Sequence, residues 1–379
     1  MSFHVLLIIL VSLIALCVFL VVSVISIKLK LMRNEAKKNS DIKKIKPVLH
    51  RLFSISTIDF FKNNKNGLSR LESGLKDRVS LQTLEDLLLG ALEDTNGEGR
   101  VRANTIAYHF GFPEKCLSMI RERLTGSIAI GCRKAGLYQF GDAIPDILKT
   151  LDILSSETQL QALMALARIG DAATMVQAFD KVHRLIFVNE RAINEIINVF
   201  SGDRRELYSK MIYHQSDYLV RLFLKAMDRE IANEFFDDII AVSGRGGKEM
   251  RLAGIIAISK SDSKKKIPIL IRAMEDDEWE IRAMAAKTLG AVNSPRAVKC
   301  LKKAACDREW WVRQNAVTSI LEYPNCDKIL ISIAKTGDKY AFDSMLYTIG
   351  KVNEPTLLSK IKEAWPEKAR RPKRIKELA

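Results

Sequence analysis

Apolar residues in the stretch 278–290, EWEIRAMAAKTLG, recur with the spacing of one amphipathic helix. Ile281, Met284, Ala285, Thr288 and Leu289 share a face, and Gly290 stands where the helix should stop. The pattern returns 31 residues later in 309–321, EWWVRQNAVTSIL, and 31 residues earlier in 247–260, GKEMRLAGIIAISK. The alignable position in each is an arginine after an apolar residue: Arg251, Arg282 and Arg313. Stepping back by about 30 residues reaches Arg221, Arg191, Ala162, Arg133 and Arg102, and stepping forward reaches Asp343. Seven of these nine positions are arginine. Each period holds two helical stretches joined by a turn, such as Gly141–Pro145, Gly170–Ala172 or Asn293–Pro295. A helix pair repeated at this period buries its apolar face only against its neighbours, so the pattern predicts a stacked α-solenoid, not a globular enzyme core.

The regular repeats occupy 98–363. Residues 52–97 read as a helical cap or degenerate repeat, with a helix pair at Leu68–Lys76 and Leu81–Leu92 and turns at Asn63–Gly67 and Thr95–Gly99. The second helices expected in the repeats include Ile144–Leu154, Ala173–Val182 and Pro295–Ala305. The last unit is Asp338–Gly350 with Pro355–Glu363, and 364–379 is a basic tail.

The other strong pattern is at the start. Residues 5–27 carry no charge. As a helix they rise about 35 Å, enough for a hydrocarbon core of about 30 Å. The run is longer than a signal-peptide core and lacks a basic leader, so it predicts a retained span with Met1–His4 outside. Cations follow the span and none precedes it, which places the body in the cytoplasm under an inner membrane, single-pass. The expected class is therefore all-α: a transmembrane helix followed by an α-solenoid of about nine two-helix repeats.

The net charge of +15 needs a location before it has a meaning. Nine Lys or Arg lie in 28–51, and six more lie in the last twelve residues, so much of the excess sits at the two ends. The segment 28–51 reads as a basic juxtamembrane linker. Lys28, Lys30, Arg33, Lys37, Lys38, Lys43, Lys44 and Lys46 either contact anionic headgroups or act as the topology signal, and both roles are compatible. Pro47 is expected to break any helix leaving the membrane. The six cysteines form no CxxC pair, and those of the body lie in apolar helical contexts, as reduced buried thiols do.

The pattern of Asp, apolar-Arg, Ala and Leu-Gly, as in Asp276/Ile281-Arg282/Ala285/Leu289-Gly290, resembles HEAT repeats. The nearest kind is the short bacterial HEAT-like repeat of the phycobilin-lyase type. Asp307/Val312-Arg313/Ala316 and Val101-Arg102/Thr105 show it in part, whereas Ala162, Asp343 and the missing glycines after Arg191, Arg221 and Arg251 depart from it. The resemblance implies a right-handed superhelix whose second helices line the concave face. It also implies an Asp–Arg ladder between neighbouring units. Asp276 and Asp307 each precede their repeat arginine by six residues and are available for it. The ladder is preferred over a reading in which Arg102, Arg133, Arg191, Arg221, Arg251, Arg282 and Arg313 converge on an anionic ligand.

Trp279 and Trp310 occupy equivalent positions and suit the seam between units, although a partner anchor is the alternative. Trp311 replaces the charged Glu280 of the preceding unit and is expected at the surface. The loop Ser243–Glu249, SGRGGKE, lacks the glycine and hydroxyl residue of a phosphate loop and reads as a repeat turn. The five histidines are scattered, and the acidic run 275–278 is a solvated loop. No nucleophile–base pair or metal set emerges, so no cofactor is called for and the chain is not expected to be an enzyme. The expected function is a membrane-anchored scaffold or adaptor for a protein partner, plausibly a membrane enzyme such as a glycosyltransferase or an envelope assembly complex. A nucleic-acid-binding solenoid is the alternative, opposed by the anchor and the terminal charge, and a bilin-lyase-type enzyme is a remote one by resemblance alone.

Overall fold

A computed structural model describes residues 3–54, 60, 68–69, 71–73, 75, 77–94, 97–152, 156–182, 189–292 and 294–366. The basic tail beyond Pro366, the turn at Asn63–Gly67 and parts of the expected Leu68–Lys76 helix and Asn293 turn lie outside them. Among the described residues there are 22 helices and no strand. The helices fall within a residue or two of the periodic stretches: Trp279–Leu289 and Trp310–Leu321 as first helices, Pro295–Ala304 as a second helix, then Lys339–Val352 and Pro355–Ala364.

The chain divides into two compact units. The first comprises Met1–Asp171 with Val199–Gly202. It opens with one helix, Phe3–Ser54, which runs through Pro47 without a break. The expected break at this proline does not occur, for a local reason. Pro47 and Lys43, whose carbonyl loses its helical donor, both lie exposed, so water can serve the orphaned group. On the opposite side Ile45, Leu49 and Leu52 are buried and hold both sides of the proline in line.

Elsewhere in this unit, small residues set the spacing. The helices Thr125–Leu137 and Ser156–Ile169 pack so closely at Gly136 that a Cβ there would stand 2.6 Å from the Ala165 Cα. Ala162, where most repeats have arginine, is fully buried in this seam.

The second unit comprises Ala172–Asn198 and Asp203–Ala379. Its first helices, Asp217–Ala226, Lys248–Lys260, Trp279–Leu289, Trp310–Leu321 and Lys339–Val352, pack side by side in chain order. Second helices such as Lys266–Ala273, Pro295–Ala304 and Cys326–Ala334 cover one side of that layer. Residues at matched repeat positions fill the space between: Ile281 and Val312, Ala285 and Ala316, Leu289 and Ile320, Leu270, Leu301 and Leu330. One core therefore runs from repeat to repeat, as the sequence period requires.

Gly136→Val is expected to destabilise the protein by about 1–3 kcal/mol, because the seam has no room for it. Gly90→Ala, in the Arg78–Asp94 helix with nothing within 4 Å of the added Cβ, is expected to stabilise it by about 0.5 kcal/mol. Thermal unfolding of the two variants against the parent checks both signs.

Candidate functional site

The register arginines do different work along the chain. Arg251 donates from Nε and Nη2 to both carboxylate oxygens of Asp276, each at 3.0 Å. Arg282 does the same with Asp307 at 2.9 and 3.0 Å. The Arg282 Nη1 also donates to the carbonyls of Asp276 and Asp277, at 2.9 and 3.0 Å. Arg313 repeats the second half of this arrangement, donating to the carbonyls of Asp307 and Arg308 at 2.8 and 2.9 Å. Its Nε goes to the buried Ser344 hydroxyl, 3.1 Å away.

A single guanidinium thus closes the loop of its own repeat and grips the next one. The aspartate six residues before the arginine takes part through its carbonyl, and the carboxylate partner lies 25 residues after. Each partner carboxylate also caps its own loop: Asp276 accepts from the Glu278 amide and Asp307 from the Glu309 amide, both at 2.9 Å. Burial pushes both carboxyls upward, but the arginine and amide bonds outweigh it and hold them below the ordinary value. The Asp307 carboxylate in turn raises the Arg282 guanidinium.

The other register arginines do not make this contact. Arg102 donates to Glu98 at 3.1 Å, one turn back in its own helix. Arg133 pairs with Glu93. Arg191, 89% exposed, reaches Glu195 in its own helix at 3.0 Å. Arg221 donates to the Asp217 carbonyl, lies 3.7 Å from Glu249 and stacks over Tyr218. The reason lies 25 residues on. The residues 25 positions after Arg102, Arg133, Arg191 and Arg221 are Ser127, Thr158, Ser216 and Gly246, whereas those after Arg251 and Arg282 are aspartates. Asp343, in the arginine register, is exposed, and Ser344 beside it receives Arg313.

Further bonds bind the same repeats. Asn315 donates to the Ala283 carbonyl at 3.0 Å, Ser319 to Ala286 at 2.9 Å and Tyr323 to Leu289 at 2.9 Å. Lys248, from the loop with the superficial look of a phosphate site, donates to Glu280 at 2.6 Å and serves as another inter-repeat tie.

An aromatic cluster stands on this clamped frame. Trp311 is 55% exposed and meets Trp310 edge to face at 4.6 Å between ring centres. Trp310 meets Tyr347 of the following first helix at 5.7 Å. Lys351 lies 4.4 Å over Tyr347, and Arg313 lies 5.3 Å from the ring of exposed Tyr340. Trp279 is partly buried against the core. Trp310 is exposed, a departure from the expected seam position, because its ring rests on Trp311 and Tyr347. Tyr340 and Tyr347 were missed as members of the cluster. Their positions one repeat on from Trp310, and two turns along the same helix, were the available signal.

Besides the excess of positive charge at the two ends, one repeat helix carries a short basic row. Arg296, Lys299 and Lys303 share the exposed side of the Pro295–Ala304 helix, with Lys303 3.4 Å from Glu275. Burial raises the thiols of Cys116 and Cys132 to about 12, which keeps them protonated and unreactive. Among the described residues no group of three or more His, Cys, Asp or Glu side chains is arranged to hold a metal.

Residues 241–322 match the family model of HEAT repeats. That stretch contains Arg251–Asp276 and Arg282–Asp307, and the helical repeat architecture is consistent with a HEAT-like repeat protein. No curated protein matches the chain.

Removing a clamp should cost according to burial. Arg282 is 8% exposed, so Arg282→Ala is expected to lower stability by about 3 kcal/mol, leaving Asp307 without its cation. Arg251 is 36% exposed, and Arg251→Ala is expected to cost under about 1 kcal/mol. Denaturant titration checks the ratio. Asp276 and Asp307 have depressed folded pKa values, so their contribution is present above about pH 4 and is lost as pH falls below it. Arg282→Met should therefore lose less stability than the parent between pH 5 and pH 3, a range set by ordinary carboxylate pKa values of about 4.

Proposed function

We propose that this chain is a membrane-anchored interaction scaffold. The helix Phe3–Ser54 is long and apolar enough at its start to cross a bilayer. The cations after residue 27 favour a cytoplasmic body. HEAT repeats usually mediate protein interactions, and that is the role taken here.

The observation that carries the reading is the Trp310–Trp311–Tyr347 cluster. Exposed indoles are costly in water and are the commonest energetic anchors of protein interfaces. The cluster spans two first helices that the Arg313–Ser344 bond ties together, so its rings are presented by a fixed frame. Exposed Lys351 beside Tyr347 adds a cation that suits a partner with an acidic group near an apolar anchor. The partner proposed is a protein of the same membrane, such as a membrane enzyme or an envelope assembly complex. That choice rests on the shared bilayer, since partners in one membrane meet in two dimensions.

The test is capture of partners by the full-length chain from membranes in mild detergent. Trp311→Ala is expected to keep the melting temperature of the parent and to reduce capture of its principal membrane partner roughly thirtyfold, the loss of about 2 kcal/mol for a hot spot. Equal capture by the two proteins would remove the cluster from the interface.

A further inference from the structure

Past its apolar run, the Phe3–Ser54 helix is docked on the rest of the first unit. Leu31, Asn34, Lys38, Asp41, Ile45 and Leu49 recur at three- and four-residue spacing and so share one side of it. Ile45, Leu49 and Leu52 are buried. Asp41, also buried, accepts a hydrogen bond of 2.7 Å from the Ser80 hydroxyl. Lys37 donates to Asp77 at 2.5 Å, and Lys38 to Asp86 at 2.7 Å. Asp77 in turn caps the Arg78–Asp94 helix, accepting from the Val79 and Ser80 amides at 2.9 and 3.2 Å. Closer to the membrane, Leu31 and Asn34 face Val79 and Gln82 across an open cleft between the same two helices.

Helical rise converts these contacts into depth. The uncharged run ends at Ile27, and Leu31 lies four residues beyond it, or about 6 Å. The headgroup layer on each side of a bilayer is about 5–7 Å thick. The cleft extends from Leu31 to Lys38, about 6 to 17 Å beyond the run, so its near end reaches the headgroups and Val79 and Gln82 stand close above them. Lys28, Lys30 and Arg33 are exposed at that level and have no partner among the described residues. Lys43, Lys44 and Lys46 lie about 24 Å or more along the helix, well beyond the roughly 8 Å over which salt leaves such charges effective.

We infer that the first unit sits directly on the bilayer: Lys28, Lys30 and Arg33 bind anionic phospholipid headgroups, Val79 and Gln82 lie at the border of that headgroup layer, and Lys37 and Lys38 lock the unit to the membrane helix. The basic segment is thereby divided by function, three cations for lipid and two for the body. This rests on the anchored reading above, which supplies the bilayer.

The experiment uses the full-length chain in nanodiscs of phosphatidylcholine with 30% phosphatidylglycerol, the proportion being about that of an anionic membrane surface. A photoreactive benzoylphenylalanine replaces Gln82 or, as control, Lys44. Lipid adducts measured by mass spectrometry are expected from position 82 and at least fivefold fewer from position 44. Lys37→Asp with Lys38→Asp should lower the yield at 82, and adding Asp77→Lys with Asp86→Lys should restore it, which separates a broken lock from a misfolded body. Replacing Lys28, Lys30 and Arg33 with glutamine should remove the gain in yield that phosphatidylglycerol gives over phosphatidylcholine alone. An incorporated chain that yields no adduct at 82, or equal yields at 82 and 44, overturns the inference while leaving the anchor in place. A chain that does not enter the nanodisc overturns the anchored reading itself, and this inference with it.

Discussion

The guanidinium of Arg282, nearly sealed from water, holds the loop of its own repeat and the aspartate of the next in a single planar group. Stacked repeats bury apolar surface without fixing how far each unit is rotated on its neighbour, because Leu, Ile and Ala seams tolerate sliding. A bidentate bond does fix it, since both donors must meet both oxygens in one plane. A charge so buried is stable only while paired, so the same bond that orients the repeats penalises any arrangement that breaks it. The features at the end of the second unit, including the ring cluster carried by Trp310–Leu321 and Lys339–Val352, inherit their geometry from that bond and its relatives at Arg251 and Arg313.

The parts legible in the sequence were those set by local periodicity. Trp279–Leu289 and its copies announce themselves because helix phase, small residues and a closing glycine all lie within a dozen positions. The acceptor of each arginine was not legible in the same way. Two aspartates are available to Arg282, at six residues before and 25 after, and only packing of one repeat on the next decides that the second supplies the carboxylate. An aspartate 25 residues on is needed but is not enough: Arg313 has Asp338 at that spacing, yet gives its Nε to Ser344 while Asp338 caps the next helix at the Ala341 amide. Pro47 misled because its local effect is real but small beside the burial of Ile45 and Leu49 on either side. Trp310 misled because a seam position and a surface position share the same helical phase, and its resting place on Tyr347 joins residues 37 positions apart.

The two units use the same device for different purposes. In the first unit, Lys37, Lys38 and Asp41 fasten the Phe3–Ser54 helix to Asp77, Asp86 and Ser80. In the second unit, arginine and aspartate turn an array of helix pairs into a fixed platform for exposed aromatics. Both depend on charges that local composition presents as surface decoration. In each case the long-range partner, 25 to 48 residues away, gives the charge its role.

The central claim is that Arg282 and Asp307 act as one inter-repeat bond. A double-mutant cycle on unfolding free energy, with Arg282→Ala, Asp307→Ala and the pair, tests it most directly. The account predicts a coupling of about 2 kcal/mol, with the double variant far less destabilised than the two single losses together. A coupling below about 0.5 kcal/mol would mean that the two residues stabilise the repeats independently, and the clamp would not be what orients them.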